Sequence, residues 1–322
     1  MTTTTDTPRT TTADSRSPAL DRLGTRTAIA DGGLETSLIF LQGVDLPHFA
    51  AFPLLDGPAG RDALRAYYEP YLDLAAELDV VATLDTPTWR ASSEWGALVG
   101  YDADGLDRVN RDAVSFVRSL AAARPDVTVL VNGAIGPRGD GYVVGEAMDV
   151  DEAARFHLPQ VRALAAGGAD LVTATTMTYV EEAIGIARAA AEVGVPVVIG
   201  FTVETDGRLP SGQALRSAIE QVDADTAPLH FMVNCAHPTH FAHVLDDEGP
   251  WRSRIAAIRA NASTMSHAEL DEAEELDRGD VDGLAEAYVA LRERLPQLRI
   301  VGGCCGTDHE HVAAISRALA AG

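Results

Sequence analysis

The sequence has no lysine, only three cysteines and no long apolar run, and each shortage excludes a class of protein. Without lysine, and with a formal net charge of −23, the chain lacks the basic surface that binds nucleic-acid phosphates. No apolar run reaches the roughly 20 residues of a membrane-spanning helix, and the N-terminus lacks the apolar core of a secretory signal. We therefore expect a cytoplasmic protein that binds neither nucleic acid nor membrane. Three cysteines in that reducing compartment do not suit a disulfide framework, so they are free, catalytic or metal-bound.

The N-terminus and the rest of the chain differ in composition. The start is rich in Thr, Ser and Pro, which predicts a disordered tail over residues 1–20. Hydrophobic residues make up 46% of the whole chain, enough for a large core. Beyond the tail they form short runs of Val, Ile and Leu that alternate with helical patterns. Continuous runs of this kind are typical of parallel strands that helices cover on both faces.

Eight strand–helix units follow one another after the tail. This number favours an α/β fold with a single (β/α)8 TIM barrel, which we expect to span residues 21–322. An open doubly wound sheet is the alternative, but "ADGGLETS" after the first strand lacks the Gly-rich phosphate loop of that fold. The predicted strands are residues 27–32, 79–86, 127–136, 170–176, 196–203, 229–235, 254–262 and 299–305.

Polar residues cluster at the ends of these predicted strands. In a (β/α)8 barrel the C-terminal strand ends meet at one mouth, where the working groups lie. Cys235 ends the sixth strand, and Cys304 and Cys305 end the eighth. All three cysteines are therefore expected at this mouth, although 69 residues separate Cys235 from Cys304. The other polar residues at strand ends are Asp31, Asp85, Thr86, Asn132, Thr175, Thr176, Thr202 and Asn234.

The three cysteines suit a metal ion better than the alternatives. Thiolates are soft ligands, which Zn²⁺ binds in tetrahedral geometry. Adjacent residues on a regular strand point to opposite faces, but glycines on both sides of Cys304 and Cys305 permit an irregular backbone that brings both to one ion. The alternatives are burial as small hydrophobic side chains and a strained disulfide between neighbours. Three protein ligands leave a fourth position open, where an exogenous thiol can bind and lose its proton.

Four motifs in the chain resemble those of one enzyme family. They are "DGGLET" at 31–36, "GRLPSG" at 207–212, "NCAHP" at 234–238 and "GGCCGT" at 302–307. The family is the homocysteine S-methyltransferases, zinc-dependent (β/α)8 barrels, and the resemblance covers nearly the whole chain after about residue 25. It implies that Cys235, Cys304 and Cys305 hold Zn²⁺ and that the sulfur of homocysteine becomes a ligand. No catalytic residue beyond the zinc site is then expected.

The resemblance also implies which residues hold the substrate. Asp31 and the backbone around Gly32 and Gly33 are expected to bind the amino-acid part of homocysteine. Asn234, which precedes the first cysteine and matches the family pattern, is expected to orient the substrate or the thiolate.

Three positions depart from the family pattern. Where the family often has a Glu in "FET" after the fourth strand, this chain reads "ATT", with Thr175 at that position. The second strand ends in "LDT" where "TNT" is usual, so Asp85 replaces an Asn next to Thr86. If the missing Glu normally pairs with the substrate ammonium, Asp31 or Asp85 takes over this role, or the acceptor differs. The family's "PNSGE" after the seventh strand is also absent.

The resemblance implies methyl transfer from a small cationic donor to the thiolate of homocysteine, giving methionine. S-methylmethionine is the first expectation for the donor, followed by S-adenosylmethionine and glycine betaine, and the activity belongs to methionine biosynthesis. Methylation of another small thiol or selenol, a zinc hydrolase or lyase, and a non-catalytic zinc or thiol sensor stay as alternatives. An oligomer is possible.

Other features have simpler interpretations. Trp89 and Trp95 either pack in the core or form a cation–π wall for the donor. Thr307 and Glu310 have the spacing of a capping box for the last helix. The acidic segment 268–280 is expected to be solvated. Solvent-exposed positions are expected for His237, His240, His243, His309 and His311.

Overall fold

The structure, a computed structural model, describes residue 23 and residues 26–321. The predicted tail over residues 1–20 lies outside the described residues. Eight parallel strands form a closed barrel in chain order, in which β1 pairs with both β2 and β8. This arrangement confirms the predicted single (β/α)8 barrel.

The eight predicted strands all overlap observed ones. The observed strands are β1 Ala28–Ala30, β2 Val81–Asp85, β3 Val129–Ile135, β4 Leu171–Met177, β5 Val197–Phe201, β6 His230–Asn234, β7 Ile255–Ala260 and β8 Ile300–Gly303. Nearly every strand residue is buried, because side chains fill the barrel interior on one face and pack against helices on the other.

Helices connect consecutive strands and surround the barrel. They are α1 Leu34–Thr36, α2 Pro58–Leu78, α3 Ser93–Leu98, α4 Ala103–Ala123, α5 Val150–Gly167, α6 Val180–Val193, α7 Leu215–Asp225, α8 Pro238–Phe241, α9 His267–Asp271, α10 Val281–Arg294 and α11 His309–Ala321. Short 3₁₀ segments lie at Pro47–Phe49, Phe52–Asp56, Ala242–Asp246 and Pro250–Arg254, and a π-helical turn lies at Ser37–Leu41. In the described part of the chain, no helix combines the length and the apolar character needed to cross a membrane.

The inward-facing residues of the strands close the bottom of the barrel. This inner cluster consists of small and branched apolar side chains, with Leu23 packed among them. A barrel of eight strands has an interior that such side chains fill completely, so the open space lies above it, at the C-terminal mouth. The cluster contains Leu23, Ala28, Ala30, Val81, Leu130, Leu171, Val198, Met232, Ala257 and Ile300.

The predicted capping box of the last helix is wrong. Asp308 caps α11 instead, because its Oδ1 accepts hydrogen bonds from the backbone N–H groups of Glu310 (3.0 Å) and His311 (3.4 Å). The hydroxyl of Thr307 donates to the carbonyl of Cys304 at 2.7 Å, which holds the turn after β8. The cap of α11 lies one residue later than the spacing of Thr307 and Glu310 predicted, because Thr307 belongs to the turn after β8.

Three of the five histidines that we expected to be exposed are buried. His237 accepts a hydrogen bond from the backbone N–H of Thr239 and caps α8. His240 donates to the carbonyl of Thr264 at 3.0 Å, and His311 is enclosed beside Asp308. His243 and His309 are exposed, as predicted, and so is most of the acidic segment 268–280.

Candidate metal centre and substrate pocket

A cavity of about 310 Å³ opens at the C-terminal mouth of the barrel. It brings together nine of the ten predicted site residues, whereas Asn234 lies outside its lining. The nine are Asp31, Gly32, Gly33, Asp85, Thr86, Thr175, Cys235, Cys304 and Cys305.

The three cysteines converge on one point of this cavity. Their Sγ atoms all lie within 4.8 Å of one another, and those of Cys235 and Cys305 are 3.6 Å apart. Tetrahedral Zn²⁺ with Zn–S bonds of about 2.3 Å places its sulfur ligands about 3.8 Å apart. The donor set and its spacing therefore fit Zn²⁺, with Cys235, Cys304 and Cys305 as the residues that would hold it.

Irregular backbone allows neighbouring cysteines to face the same point. β8 ends at Gly303, and the chain then turns, with Gly306 in the left-handed region at φ +79°. Cys235, directly after β6, is itself left-handed at φ +56°, a strained conformation for a residue with a side chain. Gly33 permits close approach of the first loop, because a Cβ there would lie 2.5 Å from the carbonyl oxygen of Cys304.

Hydrogen bonds hold the strained backbone at Cys235. Its carbonyl oxygen accepts from His267 Nε2 (2.8 Å), Asn261 Nδ2 (3.1 Å) and Thr202 Oγ1 (3.2 Å). The other ring nitrogen of His267 lies 3.0 Å from Glu204 Oε1. No motif in the sequence marks His267 as part of the site; the capping box formed by Ser266 and Glu269 at the start of α9 is the local signal for a helix there.

Tyr142 covers the cysteines. Its hydroxyl lies 3.3 Å from Cys235 Sγ and 3.5 Å from Cys305 Sγ, and its ring stacks on His267 at 4.1 Å between centroids. Tyr142 belongs to the loop between β3 and α5, which no sequence motif marked as part of the site. Cys235 is buried beneath Tyr142, whereas Cys304 and Cys305 stay partly exposed.

The thiols influence one another's ionisation. Hydrogen bonds from Cys235 and Cys304 hold the pKa of Cys305 well below its usual range, and Tyr142 adds to this effect. Hydrogen bonds with Cys304 and Cys305, together with burial, raise the pKa of Cys235 well above its usual range. The cluster by itself favours one thiolate, and ionisation of all three needs a cation.

Arg259, on β7, pairs with two of the predicted substrate-binding carboxylates. Its guanidinium forms ion pairs with Asp31 and Asp85, and its Nε donates to the carbonyl of Gly303 at 3.0 Å. Asn132 Nδ2 donates to the other oxygen of Asp85 at 2.6 Å. Both carboxylate oxygens of Asp85 therefore already have partners within the protein. This pairing argues against the prediction that Asp85 binds the ammonium group of the substrate.

Asp31 differs from Asp85 in the hydrogen bonding of one carboxylate oxygen. Its Oδ2 is buried and has no hydrogen-bond partner among the described residues. Burial raises the pKa of Asp31 to about 8, against the opposing charge of Arg259. An unpaired buried oxygen is costly, and a cationic ligand that donates a hydrogen bond there removes the cost and favours the ionised form of Asp31 that burial disfavours.

The other predicted residues include Gly33, Asn234 and Thr86, which form hydrogen bonds with backbone groups of the chain. The N–H of Gly33 donates to the carbonyl of Thr307 at 3.0 Å, so it is not free for a ligand. Asn234 is fully buried and clamps Thr176, whose N–H donates to Asn234 Oδ1 at 3.0 Å. Thr86 and Thr175 line the cavity, and the hydroxyl of Thr86 accepts from the N–H of Ala134 at 3.1 Å.

The two tryptophans after β2 contact a cation of the chain itself. The Cζ atom of Arg90 lies 4.2 Å from the ring centroid of Trp89 and 3.6 Å from that of Trp95. Trp89 and Arg90 line the cavity, as does Glu35. The cation–π interaction that these rings make is therefore with a side chain that faces the ligand space.

Known proteins similar to this chain align with it over most of their length. It matches the family model described as homocysteine S-methyltransferase over residues 28–319. It is 25% identical to "Homocysteine S-methyltransferase 4" of Zea mays, over 91% of this chain and 89% of that protein. It is 22% identical to "Selenocysteine Se-methyltransferase" of Brassica oleracea var. italica, over 91% and 88% of the two chains.

Solved structures with this fold include the homocysteine methyltransferase MmuM from Escherichia coli. Its oxidised form has a TM-score of 0.74 to this chain at 20% identity, covering 94% of this chain and 99% of that one. Its metallated form has a TM-score of 0.71 at 20% identity, covering 92% and 98%. With a family match that extends over nearly the whole barrel, the chain belongs to the homocysteine S-methyltransferase family.

Proposed function

We propose that this protein transfers a methyl group from a small sulfonium or ammonium donor to the sulfur of homocysteine, giving methionine, with Zn²⁺ held by Cys235, Cys304 and Cys305. The observation that carries the proposal is the convergence of three Sγ atoms within 4.8 Å at the mouth of a barrel of this family. The cytoplasm, whose reducing conditions keep thiols available for a metal, is the compartment that this function favours.

The chemistry divides between the metal and the chain. When bound, Zn²⁺ lowers the pKa of a thiol ligand, so that the acceptor is present as a thiolate at neutral pH. In the transfer, the bond from the methyl carbon to the donor heteroatom breaks and a carbon–sulfur bond to the acceptor forms. The donor loses its positive charge, and the thiol proton goes to solvent.

The residues around the cysteines bind and orient the acceptor. Asp31 offers its open Oδ2 to the ammonium group of homocysteine, and Arg259 holds the Asp31 carboxylate in place through an ion pair. Tyr142 covers the sulfur atoms of Cys235 and Cys305 on one side and, with substrates bound, would help to keep water from them. Exclusion of water strengthens these interactions and keeps the acceptor sulfur available to the donor.

A related acceptor is the second candidate. Thr175 lines the cavity where the family often has a Glu, so the contacts to the acceptor differ from the family pattern. A relative of similar coverage is a selenocysteine Se-methyltransferase by name. Another small thiol or a selenol is therefore the acceptor to test after homocysteine.

A panel of donors tests the proposal. The zinc-loaded protein is incubated with homocysteine and, in turn, S-methylmethionine, S-adenosylmethionine or glycine betaine, and methionine is measured by mass spectrometry. We expect methionine from at least one donor. Absence of product with every donor, in protein that retains zinc, would support a non-catalytic zinc or thiol sensor instead.

A further inference from the structure

Arg90 is a buried arginine with unused hydrogen-bond donors in the wall of the cavity. It is 7% exposed, and its Nη1 donates to the carbonyl of Gly139 at 2.9 Å. Its Nε is buried and has no partner among the described residues. A buried N–H without an acceptor costs free energy that a ligand can recover.

Arg90 also makes no direct ion pair, although Asp140 and Glu35 in the same cavity act on its charge over longer distances. In the described part of the chain, no carboxylate oxygen lies within the 4.0 Å of an ion pair with Arg90, whereas Arg259 in the same cavity has two such partners. Burial lowers the pKa of Arg90 to about 10, so it is a cation at neutral pH. The rings of Trp89 and Trp95 hold the planar guanidinium, which is the arrangement that binds a carboxylate with two parallel hydrogen bonds.

Glu35 supplies the opposite charge in the same cavity. It lies in α1, which starts directly after Gly33, the residue that closely approaches Cys304, and its carboxylate makes no ion pair with any described residue. Burial raises the pKa of Glu35 to about 7, an effect that Arg90 partly opposes. Arg90 offers a site for an anion, and Glu35, whose ionised form a bound cation would favour, offers a site for a cation of the same ligand.

We propose that Arg90 binds the carboxylate of the methyl donor, so that the donor is a zwitterion whose cationic, methyl-bearing centre is attracted by Glu35. This inference rests on the proposed methyl transfer. The acceptor has its own charged partner in Asp31, whose carbonyl accepts from the N–H of Gly303 next to the cysteines. Arg90 follows β2 and is joined to the loop after β3 through Gly139.

Matched donors with and without a carboxylate test this assignment. The zinc-loaded protein and its Arg90→Met and Arg90→Lys variants are assayed with S-methylmethionine and its carboxamide, and with glycine betaine and choline. Arg61→Met serves as the control, because Arg61 stacks on Phe116 at 5.8 Å but does not line the cavity. Donor binding is measured separately by isothermal titration calorimetry.

We expect Arg90→Met to impair the donors that carry a carboxylate and to spare those that lack one. Arg90→Met should lower kcat/KM for the carboxylate donor about ten- to a hundredfold, since one charge-assisted interaction is lost, and should leave kcat/KM for the matched cationic donor without a carboxylate within about threefold. Arg90→Lys should recover part of the loss, Arg61→Met should resemble the wild type, and the KM for homocysteine should not change.

Three outcomes would overturn the assignment. An equal loss for both members of a donor pair would make Arg90 a structural link between loops. A raised KM for homocysteine alone would make it an acceptor-binding residue, and equal use of both members by the wild type would exclude carboxylate recognition. If no donor is turned over but calorimetry shows carboxylate-dependent binding that Arg90→Met abolishes, the methyl-transfer proposal fails and the assignment of Arg90 stands.

Discussion

At the scale of single residues, the site consists of groups that compensate one another's charge. Three thiols need a cation to ionise together, and two carboxylates share Arg259. Removing one member of such a set leaves the others buried without a partner. Single substitutions therefore distinguish groups that bind metal or substrate from groups that only support them.

The cysteines provide the first such distinction. We expect about one zinc per chain in the purified protein, and Cys304→Ser or Cys305→Ser should lose both metal and activity, because two thiolates cannot hold the ion as three do. Tyr142→Phe is the matched control, since it removes only the hydroxyl beside the sulfurs and should retain zinc. Metal is measured by elemental analysis of the folded variants. Full activity in a variant with both Cys304 and Cys305 changed to Ser would exclude a functional metal site.

The two carboxylates should respond differently to loss of charge. Asp31→Asn should raise the KM for homocysteine about ten- to a hundredfold, since it weakens a charge-assisted bond worth on the order of 1.5 to 3 kcal/mol. Asp85→Asn should lower the free energy of unfolding instead, because it leaves Arg259 with one ion pair fewer. Steady-state kinetics and urea unfolding of both variants check this. A larger effect of Asp85→Asn on KM would restore the interpretation in which Asp85 holds the ammonium.

At the scale of elements, the loop between β3 and α5 depends on a buried pair on the helices behind it. Glu182 on α6 lies 2.9 Å from His157 on α5, and both are buried. Glu182 also accepts a hydrogen bond from the backbone N–H of Arg138 at 2.7 Å. This contact anchors the loop that carries Tyr142 over the cysteines.

Glu182→Ala should therefore loosen the loop as well as destabilise the fold. We expect a loss of about 1 to 3 kcal/mol for each buried donor left without its acceptor, measured by urea unfolding. Limited proteolysis should cut the loop 136–149 faster in this variant. Glu181→Ala, at the exposed neighbouring position, is the control and should resemble the wild type. Equal proteolysis of both variants would show that the loop is held by other contacts.

At the scale of the whole molecule, negative charge exceeds positive charge nearly twofold. The chain has 48 acidic residues and 25 basic ones, so one-to-one pairing would leave 23 carboxylates without an arginine of their own. Many arginines do form surface ion pairs, each of which contributes little to stability. The remaining charge repels itself in the compact state.

Added salt should therefore stabilise this protein. Raising the ionic strength from about 0.01 M to about 0.15 M shortens the Debye length from about 30 Å to about 8 Å, which screens the repulsion between surface carboxylates. The Tm, measured by circular dichroism at neutral pH, should rise with NaCl and equally with KCl. A Tm that falls with both salts would mean that the surface ion pairs outweigh the repulsion.

The sequence by itself determined the barrel and the position of the cysteines. Strand and helix patterns are local, and a closed parallel barrel brings every C-terminal strand end to one mouth. Cys235 and the pair Cys304–Cys305 could therefore be placed together without knowing any contact between them. The irregular turn that allows both neighbours to face one point was readable from the flanking glycines.

Only the tertiary structure decided how the polar groups pair across that mouth. Arg259 meets Asp31 and Asp85 over sequence separations of 228 and 174 residues, and this pairing leaves Asp31 with the open oxygen. The burial of His311 and the position of Tyr142 over the sulfurs were equally invisible in the pattern. Such contacts depend on the stagger of the strands and the path of long loops, which no local periodicity records.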